Sequence, residues 1–322
     1  MKHTYTPATD LAVQETLSWF RSQKNFEEKF RHSLRTAVNE VLDGRRTGRY
    51  SIEQLTKNEK SYIGTKVEII LQDTFEIPRG VKKEGAKEKP LDYLVRGHEV
   101  DCKFTIGTNW AIPQEAVGRI CLLVSVDEAR ERFSAGVLRS RPEFLTGKPN
   151  NDGKRGVSAK VGKKQIEWIT KESAFPKSIL LSLNPESQKY ICDESRSGQE
   201  RVNRLFERVQ HQLIDRDTTD TVAQQLDGMA RVREGDGRAR TVLRNEGILI
   251  AGHWKAHRKI LETLHVQIPR APRNGELVSF RVVEAKPWHQ DLPRTALDGR
   301  EWVLAKDGDP RENGPRLPGT KE

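Results

Sequence analysis

Apolar positions in the first part of the chain follow a helical rhythm. Phe26, Phe30, Leu34, Val38 and Leu42 form one stripe, and residues 10–43 read as two helices. Asp43-Gly44 ends the second, because glycine tolerates the left-handed conformation that closes a helix. A third amphipathic helix is predicted over 58–75, with Ile63, Val67, Ile70, Leu71 and Phe75 facing inward. A loop rich in Lys, Glu, Gly and Pro covers 76–90, and the period then shortens to that of strands over 91–95, 99–105, 119–126 and 133–140. In the second half, Val202, Leu205, Phe206, Val209 and Leu213 predict a helix over 197–214, with Arg201, Arg204, Glu207 and Arg208 on its opposite face. A short helix at 218–226, a turn at Asp227-Gly228, an arginine-rich stretch over 229–244 and strands at 247–252, 276–283 and 301–305 complete the pattern.

Helices followed by several strands indicate a mixed α/β (α+β) fold. A chain of 322 residues exceeds the usual size of one domain, so two are expected. The strongest composition shift is the basic, Gly- and Asn-containing stretch 146–164, which places the division between 1–170 and 171–322. The second part has the order of a helix-turn-helix with a β wing. Lys and Arg number 56 against 46 Asp and Glu, a net charge of +10 shared by both parts, which suggests a polyanionic partner. Hydrophobic content of 35% without a long apolar run excludes a helical membrane protein. The N-terminus lacks the pattern of a signal peptide, and Cys102, Cys121 and Cys192 form no paired framework, so the cytoplasm is expected.

An acid two residues before a lysine occurs at Glu27/Lys29, Asp101/Lys103, Asp152/Lys154 and Glu284/Lys286, about as often as chance placement of so many charges gives. The context of Asp101/Lys103 sets it apart. Arg96-Gly97-His98 reads as a hairpin turn, and strand alternation puts Glu99, Asp101 and Lys103 on one face and Val100, Cys102 and Phe104 on the other. The hairpin brings Asp92 beside Asp101, and the charged face must meet solvent, a ligand or a metal. Glu68, one helical turn from Gly64 on the predicted helix 58–75, can lean over the same sheet. Phosphodiester hydrolysis needs such a set. Carboxylate oxygens suit Mg²⁺, the ion polarises the phosphate and acidifies a water, and a lysine orients that water and offsets developing charge. This is the PD-(D/E)xK nuclease pattern. The plainer alternative is a salt-bridged surface strand with a flanking glutamate. Similarly, Arg45, Arg46 and Arg49 form either a solvated turn or a phosphate contact. His253 and His257 lack a third ligand for a zinc site.

DGRRTGR (43–49), EKSYIGTKVEI (59–69), VDCKF (100–104), PEFL (142–145), QERVNRLFERVQHQLIDR (199–216), TVAQQLDGMARVR (221–233), GRARTVLRNEGILIAGH (237–253) and GREWVLAKDGDP (299–310) together resemble the NaeI-type restriction endonucleases, in the same order over most of the chain. The resemblance implies an N-terminal endonuclease domain of restriction-enzyme fold and a C-terminal winged helix similar to that of the catabolite activator protein. It also implies Mg²⁺ dependence, a homodimer, and type IIE behaviour, in which one DNA site is cut while a second binds as effector. Its catalytic set falls on Glu68, Asp92, Asp101 and Lys103, with Asp92, Asp101 and Glu68 towards the metal; Glu99 is not part of it. Arg231, Arg233, Arg238, Arg240 and Arg244 become candidates for DNA contacts beside Arg45, Arg46 and Arg49. Segments 76–90, 146–170, 254–275 and 284–297 depart from the family's pattern, so the base sequence recognised is not carried over. A nicking or repair nuclease with the same core and a non-catalytic winged-helix regulator are the rival readings.

Overall fold

The computed structural model describes residues 5–80 and 90–319; most of the predicted basic loop, 81–89, lies outside the described residues. The elements in chain order are α1 (Leu11–Ser22), α2 (Phe26–Leu42), α3 (Gly44–Thr47), α4 (Lys57–Phe75), β1 (Tyr93–Val95), β2 (His98–Thr105), β3 (Ala111–Ile112), β4 (Ile120–Asp127), β5 (Arg132–Arg139), β6 (Arg155–Gly156) and β7 (Glu167–Ala174). They continue with α5 (Pro185–Ile191), α6 (Gly198–Arg208), α7 (Arg216–Ala223), α8 (Ala239–Arg244), β8 (Ile248–Ala251), α9 (Lys255–Thr263), β9 (Val278–Glu284), β10 (Arg294–Leu297) and β11 (Arg300–Leu304). The chain divides into two compact units, Met1–Leu42 with Ser51–Lys177, and Asp43–Tyr50 with Ser178–Glu322.

The first unit is a mixed sheet of order β1-β2-β4-β5-β7, with β2 and β4 parallel and the other pairs antiparallel. Local chemistry fixes where its helices begin. Asp10 caps α1 by accepting from the Val13 amide, and Thr56 and Glu59 form a capping box on α4. The apolar stripes of α1, α2 and α4 pack on the sheet face that carries Val100, Cys102, Leu122, Val124, Phe133 and Val137. Phe20, Phe30 and Phe75 meet there at ring separations of 4.9–5.7 Å. Burying each contributes on the order of 2 kcal/mol. A second apolar layer, around Trp110, Ile112, Cys121, Leu123 and Phe144, covers the other side of the sheet.

Two features of this division differ from the expected 1–170 and 171–322. Strand β7, unforeseen because Lys171, Glu172 and Ser173 break its alternation, pairs with β5 across a bulge and carries the chain on to the buried Phe175. The first unit therefore extends to Lys177. The segment Asp43–Tyr50, expected within the first domain, belongs to the second unit. Gly44 and Gly48 allow this: at Gly44 a Cβ would lie 2.1 Å from Thr221 Oγ1 and 2.8 Å from Arg49 O, so only glycine permits so close an approach to α7, and Gly48 takes a left-handed φ of 71°.

In the second unit the predicted helix 197–214 ends at Arg208. Residues beyond it leave the helix along a bent path, with His211 at φ 60°: Ile214 exchanges both backbone hydrogen bonds with Leu277, and the His211 amide donates to Ser279 O at 2.8 Å. Tertiary pairing with β9 overrides the apolar stripe through Val209 and Leu213. The antiparallel sheet β10-β11-β9-β8 closes this unit, and its first strand was also not foreseen. Arg201, expected on the solvent face of its helix, is instead buried.

Candidate functional site

The β1–β2 hairpin turns at Arg96-Gly97, both with positive φ (51° and 83°), as a two-residue connection that matches strand twist requires. His98, expected in the turn, starts β2 opposite Val95 and places Nε2 2.6 Å from the Glu15 carboxylate. The register Tyr93↔Val100 sets Asp92 opposite Asp101. Asp92 Oδ2 accepts from the Cys102 amide at 2.7 Å. Lys103 Nζ lies 2.6 Å from Asp101 Oδ2 and also donates to Cys102 O at 3.2 Å. Glu68 projects from α4, half-buried and close enough to feel Asp92, Lys103 and Asp101 electrostatically. Gly64, expected to leave room for a metal or phosphate, faces Phe104 of β2 at ordinary contact distance.

The charged face does not open to solvent as a surface strip would. Asp101 is only 5% exposed, because the Trp110 layer covers this side of the sheet. Burial pushes its carboxyl up to about 6; Lys103 opposes the shift, and Asp92 and Glu115 add to it. Glu115, just before β4, had no signal in the sequence. Burial, then the Asp92 carboxylate, likewise lifts Glu68 to about 6. At Lys103 burial works downward, but the Asp101 carboxylate, aided by Asp92, offsets it and the ammonium is held above its usual range.

Asp101 Oδ2 has that ammonium off the hydrogen-bonding axis and no other donor. Among the described residues no three His, Cys, Asp or Glu side chains close into a metal cage; the carboxylates gather around Lys103 instead. Their chemistry fits Mg²⁺ all the same: hard oxygen donors, partly desolvated, in excess over the one ammonium. Because protons compete for these oxygens, affinity for a divalent ion is expected to weaken as pH falls through about 6. Calorimetric titration with Ca²⁺ between pH 5 and 8 checks this; constant affinity would remove Glu68 and Asp101 from the binding set.

The arginines separate into two groups. Arg45 and Arg46 are exposed on α3, with Asp43 3.7 Å and 2.6 Å away, and Arg49 follows them in the same segment. Arg233 is exposed, 4.0 Å from Asp227, and Arg231 donates to Gln225 at 2.8 Å. Arg238 reaches back to Glu234 O. Arg240 turns inward, donates to Ile250 O and lies over the Trp254 ring. Arg244 faces the buried Glu234 at 3.7 Å. Arg240 and Arg244 are thus used within the fold. His257 is buried, accepting from the Gly252 amide with Nδ1 while Nε2 faces Pro318 O, a structural role.

A family model described as restriction endonuclease NaeI matches residues 18–313. The chain belongs to the NaeI restriction endonuclease family. A type II restriction enzyme NaeI from Lentzea aerocolonigenes is 37% identical over 292 residues, covering 88% of this chain and 87% of that protein. The NaeI family match runs through both units, and with it the resemblance carried by the sequence segments is borne out. Membership makes this chain a restriction endonuclease. Among the described residues no helix is long and apolar enough to cross a membrane.

Proposed function

We propose that this NaeI family member is a sequence-specific type II endonuclease whose first unit is a PD-(D/E)xK nuclease core and whose second is a winged-helix DNA-binding domain. The observation that carries the nuclease reading is the hairpin register: it sets Asp92 against Asp101, with Lys103 2.6 Å from Asp101 and Glu68 beside them. Glu68, Asp92 and Asp101 would hold Mg²⁺, which when bound supplies charge neutralisation at the scissile phosphate and a more acidic water. Lys103, paired with Asp101 in this structure, would orient the attacking water and offset negative charge growing on the phosphorus oxygens. The buried setting strengthens each of these interactions.

The winged-helix reading is supported by the order α6, α7, α8, β8, α9, β9, with Gln210 bridging to Ser279 of β9 and Ile214 to Leu277 just before it. A homodimer on a palindromic site follows from the need to cut two equivalent strands. A substrate of cellular DNA and three free thiols suit the cytoplasm. Positive charge in both parts of the sequence supports activation by a second DNA site. Plasmid cleavage with Mg²⁺ tests the whole reading. Linear products with fixed ends are expected; nicked circles alone favour a repair enzyme, and binding without cutting favours a regulator.

Within the second unit, the exposed Arg45 and Arg46 are assigned to the DNA surface beside α7. Arg45→Glu with Arg46→Glu is expected to weaken binding at every sequence and to lower the salt dependence by about two phosphate contacts. Unchanged slopes in binding titrations at several salt concentrations would return these residues to the solvated-turn reading.

A further inference from the structure

The Tyr93 side chain is fully buried between the hairpin and α4, and its hydroxyl donates to the main-chain carbonyl of Glu68 at 2.7 Å. Tyr93 is the residue after Asp92, and Glu68 is the helix carboxylate, so one hydrogen bond ties the backbone of one candidate ligand to the neighbour of another. The same hydroxyl neighbours the thiol of Cys102, whose own amide is held by Asp92 Oδ2 at 2.7 Å. Asp92, Tyr93 and Cys102 are therefore linked to one another within the hairpin, and the Tyr93–Glu68 bond joins this cluster to α4 at its junction with the edge strand β1. Helix and hairpin are otherwise joined mainly by non-directional apolar packing, which tolerates sliding. A buried hydroxyl with a directed bond does not, since a shift leaves it unsatisfied.

We propose that Tyr93 is a positioning residue: its hydroxyl fixes the separation of the Glu68 carboxylate from those of Asp92 and Asp101 and so sets the affinity of the site for a divalent cation. The assignment rests on the metal-site reading above. Tyr93 touches neither metal nor DNA in this role and acts through the backbone it holds. The bond is made to a carbonyl, so Glu68 keeps its carboxylate free.

Tyr93→Phe keeps the ring and removes only the oxygen. Calorimetric titration of the full chain with Ca²⁺, without DNA, is expected to show about fivefold weaker binding, the scale of one hydrogen bond of about 1 kcal/mol. The Mg²⁺ concentration for half-maximal cleavage should rise by a similar factor, with the rate at saturating Mg²⁺ nearly unchanged. In a Glu68→Gln background the same change should cost no further Ca²⁺ affinity, because the carboxylate it positions is gone. Tyr93→Phe that melts lower but binds Ca²⁺ as the unaltered chain does would make the hydroxyl merely structural and overturn the proposal. An equal loss with and without Glu68 would do the same. If Glu68→Gln and Asp101→Asn themselves leave Ca²⁺ affinity intact, the metal-site reading fails instead.

Discussion

Asp101→Asn is expected to lower cleavage by at least about 10³-fold, the scale of losing a group that organises charge in a buried site, while specific DNA binding in Ca²⁺ is retained. The same change should raise the melting temperature of the metal-free protein. Burial holds the Asp101 carboxyl at about 6, above its ordinary 3.8, so the folded state binds the proton more tightly than the unfolded chain does. Its ionisation therefore costs stability that grows as pH rises from about 4 through 6 and is fully present at pH 7. One pKa unit corresponds to about 1.4 kcal/mol, and in a protein of this size each kcal/mol moves the midpoint by about 2–4 °C. Lys103 loses one partner in the variant but still has Asp92 and Glu68 nearby. With millimolar Ca²⁺ the order should reverse, since only the unaltered site is stabilised by the ion. Calorimetric melts with and without Ca²⁺ decide it; a lower midpoint for the variant in both conditions would show that Asp101 is held for packing.

The second large effect is expected far from this chemistry. Arg201 is 6% exposed and donates to the carbonyls of Val222 at 2.8 Å, Ala223 at 3.2 Å and Arg196 at 2.7 Å. Two of these belong to the last turn of α7, where helical partners run out, so the guanidinium closes that helix from α6. Arg201→Leu leaves three carbonyls without donors and should cost about 3–5 kcal/mol, given about 1.5–3 kcal/mol for each hydrogen bond from a charged donor and partial rehydration. DNA binding by the second unit should fall with it, while Ca²⁺ binding at the Asp92/Asp101 hairpin persists. Arg208→Leu, at an exposed position of the same helix, is the control and should cost under about 1 kcal/mol. Similar denaturant midpoints for the two variants would contradict this account of α7.

Arg201 also marks a limit of reading a helix by its apolar stripe. Periodicity placed it on the solvent face, and nothing local says that a cation there will be consumed by carbonyls from another helix. The stripe through Val209 and Leu213 misled for a related reason: β9 offers backbone partners that an isolated segment does not have. Arg240 and Arg244 had the composition of a DNA surface, yet Ile250 O and Glu234 hold them within the fold. By contrast, the hairpin at Arg96-Gly97 and the pairing of Asp92 with Asp101 were legible, since alternation and a tight turn are local rules that leave one register.

The sequence by itself determined the family, the helices α1, α2 and α4, most of the first sheet, and the four residues gathered around the hairpin. These depend on short-range periodicity, on turn chemistry and on long ordered segments of family resemblance. Only the tertiary structure decided that Asp43–Tyr50 belongs to the second unit, that Asp101 is buried, and that Tyr93 ties Glu68 to the hairpin. Each is a contact between residues distant in the chain, fixed by how closely two surfaces approach, and no local pattern encodes that distance. The absence of a Cβ at Gly44, the cover of the Trp110 layer over Asp101 and the reach of one hydroxyl to a helix carbonyl set these features.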